Sequence, residues 1–557
     1  MGQSTSPGNG NGPDESTISN LIDLPHDVFL IIISHLSSTE SILCRRVSRS
    51  WHAAFTSEDV SWNLMRWHFP RTREMRNAVE TTDRSIWVRA FPEVARRYSH
   101  LRSARPRLIE KIDLVPGPGM GDASFQEVEP WSRWLRWNDN TSIFQYRDPS
   151  WGVDDGLLVY REGVAGGYVA YDLESRRRVP VPFDAPGKIV RRLRLAHGTL
   201  VIEWCEREPC HQSDDREGIH RHFVTAFDVR RSAESRLRRT PDPWEIRFRS
   251  EWKIVPTGLP VNRQDRFFSA HTATHYALYL WQHQGSPGNE QDPLEQLTIW
   301  EIGGSPSCYD ALKDPTNTEK PVAPPPRPRV IKIFTGRALD HLGLRQGHTP
   351  TLREILLDDA NVYIHEEEHP WLSGRQAPRW PPRHHHVRAT GIPLSGTGPR
   401  WFDECCADGD IHLSFCPRAG SAARLGDDGG PGRQRQRQQQ DSDDSDDGEW
   451  AGRAPCWRHE EFPYLTVSEV VDARAGVRLA ARQCFVIEAL SAFVPPRISS
   501  SSLLRRAAAD EADEAAHEVR FEDDMWRRLL GKGRIVGDER WVVGEDRDGR
   551  SITIARF

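Results

Sequence analysis

Cysteine is scarce, nine residues in 557, and neither a disulfide framework nor a Cys-rich zinc module is expected. A reducing compartment, the cytoplasm or the nucleus or both, fits that usage. No run comes near the roughly 20 apolar residues that cross a bilayer, so no membrane span is expected. No charge sign dominates: 74 basic side chains meet 80 acidic ones, for a net charge of −6. That balance leaves no global field to gather nucleic acid. Lysine is rare, seven of the 74 basic residues, which reads as a coding preference for arginine. The WD dipeptide is missing everywhere, as are leucine-rich-repeat spacing and a P-loop.

Tryptophan is abundant, with 20 residues, alongside 41 Gly and 40 Pro. Many aromatics among many turn residues favour a β-rich fold over a helical bundle. Residues 1–19 are mostly Gly, Ser, Pro and Asn, with two acids and no base. They read as a disordered tail and not as a secretory leader. Met1-Gly2 with Ser6 fits the loose myristoylation pattern, but the tail around it has the composition of ordinary disorder.

From about residue 125 the chain breaks into short alternating runs divided by turn residues. Examples are 155–162 (DGLLVYRE), 198–206 (GTLVIEWCE), 275–283 (HYALYLWQH), 361–368 (NVYIHEEE), 410–417 (DIHLSFCP), 482–490 (RQCFVIEAL) and 550–557 (RSITIARF). Alternation of this kind predicts half-buried antiparallel strands. Four runs share a layout in which an apolar strand ends in an acid and a polar turn follows: YVAYDLES, VTAFDVRRS, LTIWEIGG and LTVSEVVDARAG. A recurring strand–turn unit predicts a divergent β-propeller over 125–557. Inserts near 313–329 (Pro-rich), 419–453 (low-complexity) and 499–520 (Ser, Ala and acid) are expected to stay outside its core. The final SITIARF alternates like a strand, and is expected to close the fold by pairing with the first blade.

The segment 20–67 has another period. Pro25 suits a first helical turn and Asp27 its positive end. Val28, Ile32 and Leu36 fall on one helical face, with Phe29 and Ile33 beside them. Ser37 and Glu40 have capping-box spacing. Leu43, Val47, Trp51 and Phe55 recur every four residues, and Val60, Trp62, Leu64 and Met65 mark a further helix. Fewer than 50 residues cannot bury so many large side chains among themselves, and the excess predicts a partner.

The run LPHDVFLIIISHLSSTESILCRRVSRSWHAAF resembles the F-box, with its Leu-Pro, its acid two residues on, apolar helix positions, then Val-Ser-Arg and Trp. Asp27 stands where that family usually has Glu, and Glu40-Ser41-Ile42 replaces its usual acid-Leu pair. The resemblance implies a small α-helical domain that binds a Skp-type adaptor and, through it, a cullin–RING ubiquitin ligase. Its implied adaptor contacts are Leu24, Pro25, Val28, Phe29, Ile32, Ile33, Leu36, Leu43, Val47 and Trp51. The whole layout, an F-box, a helical connector over 68–124 and a large all-β domain, looks like fungal F-box proteins with a degenerate propeller. Such a chain is a non-catalytic substrate receptor with no cofactor, and its substrate is an unidentified protein. A scaffold that binds the adaptor without directing degradation is the alternative.

Other motifs carry less. His365-Glu366-x-x-His369 matches a zinc-peptidase pattern, which needs a helix, whereas NVYI before it reads as a strand. His384, His385 and His386 lie in a Pro- and Arg-rich loop, and Cys405, Cys406 and Cys416 lack zinc spacing. No metal site is expected, and a metal-dependent hydrolase is the remotest reading.

Overall fold

The computed structural model describes residues 21–557 outside 78–82, 115–134, 138–139, 143–149, 164–166, 213–217, 232–243, 256–258, 261–265, 285–290, 304–327, 349–351, 369–384, 396–400, 408–463, 473, 485–487, 494–517, 530–534 and 547–548. The expected tail, nearly all of the three inserts and the 410–417 run lie outside the described residues.

Among the described residues, six α-helices precede the β region: α1 (His26–Ser34), α2 (Ser38–Cys44), α3 (Arg49–Phe55), α4 (Glu58–His68), α5 (Arg73–Asn77) and α6 (Ile86–Arg102). The Ser37–Glu40 capping box forms in full, with Ser37 Oγ accepting from the Glu40 N–H and the Glu40 carboxylate from the Ser37 N–H at 2.7 Å. Hydrogen bonding to the carboxylate from the Ser37 backbone, and then from the Ser37 side chain, holds the Glu40 carboxyl below its ordinary pKa. The four-residue period from Leu43 to Phe55 does not make one helix. Ser48 caps α3 by accepting from the Trp51 N–H at 3.1 Å, which leaves Val47 in the turn before it. A local hydroxyl cap outcompetes helix continuation at that serine.

Beyond α6 lies a large all-β region of small antiparallel sheets. Six of those described have four strands. Sheet 1 is Gly152–Asp154, Leu157–Glu162, Gly167–Asp172 and Arg178–Pro180; sheet 2 is Lys188–Ala196, Thr199–Glu206, His222–Arg231 and Trp244–Lys253. Sheet 3 is Arg266–His271, His275–Gln284, Gln291–Glu301 and Arg329–Thr335; sheet 4 is Leu352–Leu357, Asn361–Glu368, His385–Pro393 and Trp401–Ala407. Sheet 5 is Tyr464–Asp472, Val477–Cys484, Glu488–Phe493 and Glu518–Arg520. Sheet 6 combines Ile535–Gly537, Trp541–Glu545 and Ser551–Arg556 with a strand from far upstream, Leu108–Asp113.

Some expectations change here. The connector is not helical throughout, because Leu108–Asp113 is a strand with Ile112 opposite Ile552 and Lys111 opposite Thr553. The terminal strand therefore closes against this upstream strand and Trp541–Glu545, not against sheet 1. The run 482–490 divides between two strands, Val477–Cys484 and Glu488–Phe493. In the shared layout, Asp172, Asp228 and Glu301 all fall on the third strand of their sheets, whereas Glu469 lies on the first strand of sheet 5.

Thr199–Glu206 is buried almost end to end, not on alternate residues. It pairs with a strand on each side, and its sheet is covered on both faces. Buried carboxylates join successive sheets. The Trp151 indole N–H donates to Glu545 at 3.1 Å (sheet 6 to 1), and the Trp244 indole N–H to Asp172 at 3.0 Å (sheet 2 to 1). Ser269 and Tyr276 of sheet 3 donate to Glu203 of sheet 2, the tyrosine at 3.0 Å. The Gln346 and Gly347 N–H groups, leading into sheet 4, donate to Glu295 of sheet 3 at 2.7 and 2.8 Å.

Two buried histidines make this region acid-sensitive. His222 Nε2 accepts from Arg191 at 3.0 Å, and burial, then the Arg191 charge, lowers its pKa to about 3. His271 lies 3.0 Å from the Thr199 carbonyl, and burial lowers its pKa to about 4. Both rings are neutral in the fold but take up protons near pH 6.5 when unfolded. The unfolded chain then binds more protons, so stability falls as pH drops from about 6.5 toward about 4. A denaturant midpoint clearly lower at about pH 5 than at about pH 7.5 is the expected outcome. An equal midpoint at both would contradict it.

Candidate functional site: an exposed apolar face on the first helices

α1 is apolar nearly all the way round, so it serves two surfaces. Phe29 and Ile33, one turn apart, are buried in the chain's own core, with Phe29 edge-on to Phe55 at 5.5 Å. Val28, Ile31 and Ile32 face outward, 41%, 62% and 36% exposed. Leu43 at 52% and Val47 at 62% continue that exposure on α2 and the turn after it. Of thirteen exposed large hydrophobic side chains among the described residues, five lie between positions 28 and 47. A concentration of this kind marks a contact surface, where scattered single residues would not.

The ten residues singled out in the sequence thus separate. Pro25, Val28, Ile32, Leu43 and Val47 are exposed; Leu24, Leu36 and Trp51 are half-buried; Phe29 and Ile33 point into the core behind them. Ile31 was missed. Its signal was present in the unbroken run Phe29–Ile33, but a single helical stripe through Val28, Ile32 and Leu36 passes it by.

The face is held from behind. The His26 imidazole lies 2.7 Å from Asp59 at the start of α4, and Arg84 reaches the same carboxylate at 3.0 Å. The Arg45 guanidinium, following α2, lies 5.2 Å from the Phe91 ring centroid on α6. Trp51 stacks on Phe55 at 5.7 Å, and Trp62 meets Trp87 at 5.0 Å. One continuous core runs from Phe29, Phe55 and Leu64 through Phe91 and Leu101 to Val477, Met525 and Phe557.

A second feature is a cavity of about 250 Å³ in the β region. The first strands of sheets 1, 2, 3 and 4 line it, through Val153, Leu195, Phe268 and Ile355, with Trp151 just before the first of them and Val536 from sheet 6. Arg194, His197, Ser269, His271 and Glu354 supply its polar groups.

The zinc-peptidase pattern has no helix. His365 and Glu366 lie on the strand Asn361–Glu368, and the Glu366 carboxylate is engaged by Arg388 and, at 2.9 Å, by Gln346. His369, His384 and Cys416 lie outside the described residues, as do the side chains of His385, His386, Cys405 and Cys406. No cluster of three or more His, Cys, Asp or Glu suited to a metal occurs among the described residues. None of the described helices is long and apolar enough to cross a membrane.

Residues 21–63 match the F-box domain family. The match spans α1 to α3 and the start of α4, and so contains the whole exposed face. No curated protein matches the chain. Among 28 matching chains of solved structures is one titled "Crystal Structure of Mitotic Checkpoint Complex". It is 7% identical, with 81% of this chain and 95% of that one covered and a TM-score of 0.31, and the likeness carries no further weight.

Proposed function

We propose that this chain is the substrate-recognition subunit of a Skp–cullin–F-box ubiquitin ligase. The observation that carries the reading is the apolar face of Pro25, Val28, Ile31, Ile32, Leu43 and Val47, left open within the F-box match. A Skp-type adaptor covers that face and brings a cullin with it. Leu24, Leu36 and Trp51 border the contact, while Phe29 and Ile33 shape it from inside. The chain is non-catalytic and works by proximity, raising the effective concentration of a bound target near the ubiquitin-carrying enzyme. It acts in the cytoplasm, the nucleus or both.

The β region is read as a divergent propeller that binds the target protein, in the manner of the fungal F-box proteins whose layout the chain resembles. Three features favour this. Five of the six sheets contribute to one cavity. Buried carboxylates bridge sheet 6 to 1, 1 to 2, 2 to 3 and 3 to the segment leading into 4. Sheet 6 takes its fourth strand from upstream of sheet 1.

The test is recovery of adaptor and cullin with the tagged full chain. Losing one interface anchor costs about 2 kcal/mol, roughly 30-fold in affinity. Leu24→Ala combined with Pro25→Ala is expected to abolish recovery of both partners at an unchanged melting temperature. Undiminished recovery would sink the reading. A target that accumulates when the chain is removed distinguishes the receptor from an adaptor-binding scaffold.

A further inference from the structure

The helices behind the exposed face, α5 and α6, touch the β region at three hairpin turns. The Glu539 carboxylate, between Ile535–Gly537 and Trp541–Glu545, is 1% exposed and inserted among α5 and α6. It accepts from the Tyr98 hydroxyl at 2.7 Å and from the Arg73 N–H at 2.9 Å, and lies 3.6 Å from Arg97. Arg97 in turn holds both Glu74 oxygens at 2.9 Å. At the sheet 1 turn, Asp155 is bonded by Arg73. At the end of the first strand of sheet 5, Asp472 lies 3.9 Å from Arg76, and the Ala475 carbonyl is 3.5 Å from the Tyr98 hydroxyl.

The apolar core across this junction is non-directional and tolerates sliding. Buried ions do not, because moving one away from its partner leaves a charge in a poor solvent. Replacing such a set by apolar residues is often neutral for stability, so its role lies in registry. We infer that the Glu74–Arg97–Glu539–Tyr98 cluster is an orientation pin, fixing the angle between the F-box face and the β region rather than strengthening the junction. Its meaning for function rests on the receptor reading, since a fixed angle sets where a bound target sits relative to the adaptor.

The experiment measures distance in the full chain, with spin labels on non-natural residues at the exposed positions His52 and Arg247. The native chain should give one narrow distribution. The charge-free variant Glu74→Leu, Arg97→Met, Glu539→Leu should keep its melting temperature within a few degrees and at least double the width. A folded variant as narrow as the native chain would overturn the inference. If that variant does not fold, Arg97→Lys keeps the charge but loses the bidentate fork. It should also broaden the distribution, and an unchanged width would overturn the inference equally. Val94→Ala, a core truncation on the same helix, should lower the melting temperature without broadening. Broadening by that variant as well would mean that packing, not the pin, sets the angle. Adaptor binding is measured separately, so a pin that behaves as described in a chain that never binds adaptor would refute only the receptor reading.

Discussion

Truncation after Arg550 is expected to give an aggregated or protease-sensitive protein, whereas removal of residues 1–19 should leave the fold intact. The deleted Ser551–Arg556 is no frayed edge: it is an inner strand, paired with Leu108–Asp113 on one side and Trp541–Glu545 on the other. Its loss would strip the upstream strand of its partner and open two hydrogen-bonded ladders. Ile552 is fully buried, Ile554 is 4% exposed and Phe557 is 5% exposed. Burying each is worth about 2 kcal/mol, a large share of the roughly 5–15 kcal/mol that a folded chain retains. Phe557 also packs edge-on to Phe521 at 5.9 Å, in the core that α6 shares. The damage should therefore spread to the helical junction. Limited proteolysis of the two truncations decides it. Equal resistance of the C-terminal truncation and the full chain would contradict closure by this strand.

Glu203→Ala is the point substitution expected to cost most, about 3–5 kcal/mol. Glu203 is fully buried, and its carboxylate faces Arg192 at 3.6 Å, with that guanidinium 1% exposed. Ser269 and Tyr276 also donate to it, tying sheet 3 to sheet 2. Burial, reinforced by the nearby carboxylate, raises the Tyr276 pKa well above its ordinary value, so that hydroxyl remains a donor. Removing the acid leaves the Arg192 cation in the core without its carboxylate. Removing both charges, as in Arg192→Met with Glu203→Met, should recover most of the loss, because the desolvation of two ions disappears with them. Denaturant midpoints of the single and double variants make the comparison. A double variant as unstable as the single would show that the pair is a net stabiliser.

The parts of this fold legible in the sequence were those written locally. The capping box at Ser37 and Glu40 needs only three residues of spacing, and it formed. Strands such as Leu157–Glu162, Asn361–Glu368 and Ser551–Arg556 stood where their alternation placed them. Partners distant in sequence were not legible. Lys188–Ala196 carries Arg191 and Arg192 in its middle, yet both are buried, because Glu203 and His222 receive them. Leu108–Asp113 is too short to declare itself, and its partner lies at the other end of the chain. Glu539 and Tyr98 stand 441 residues apart, and no local pattern links them. At the candidate site the apolar run was visible, but its division into an inner pair, Phe29 and Ile33, and an outer set that includes Ile31 depended on where α3 and α4 pack.

The receptor reading meets its most direct test in a binding titration of the purified full chain with a purified Skp-family adaptor. Saturable one-to-one binding is predicted, weakened about 30-fold or more by Ile31→Glu, which alters a residue that is 62% exposed and should not disturb the fold. Absence of binding by the native chain, or an Ile31→Glu variant that binds as tightly, would contradict the account.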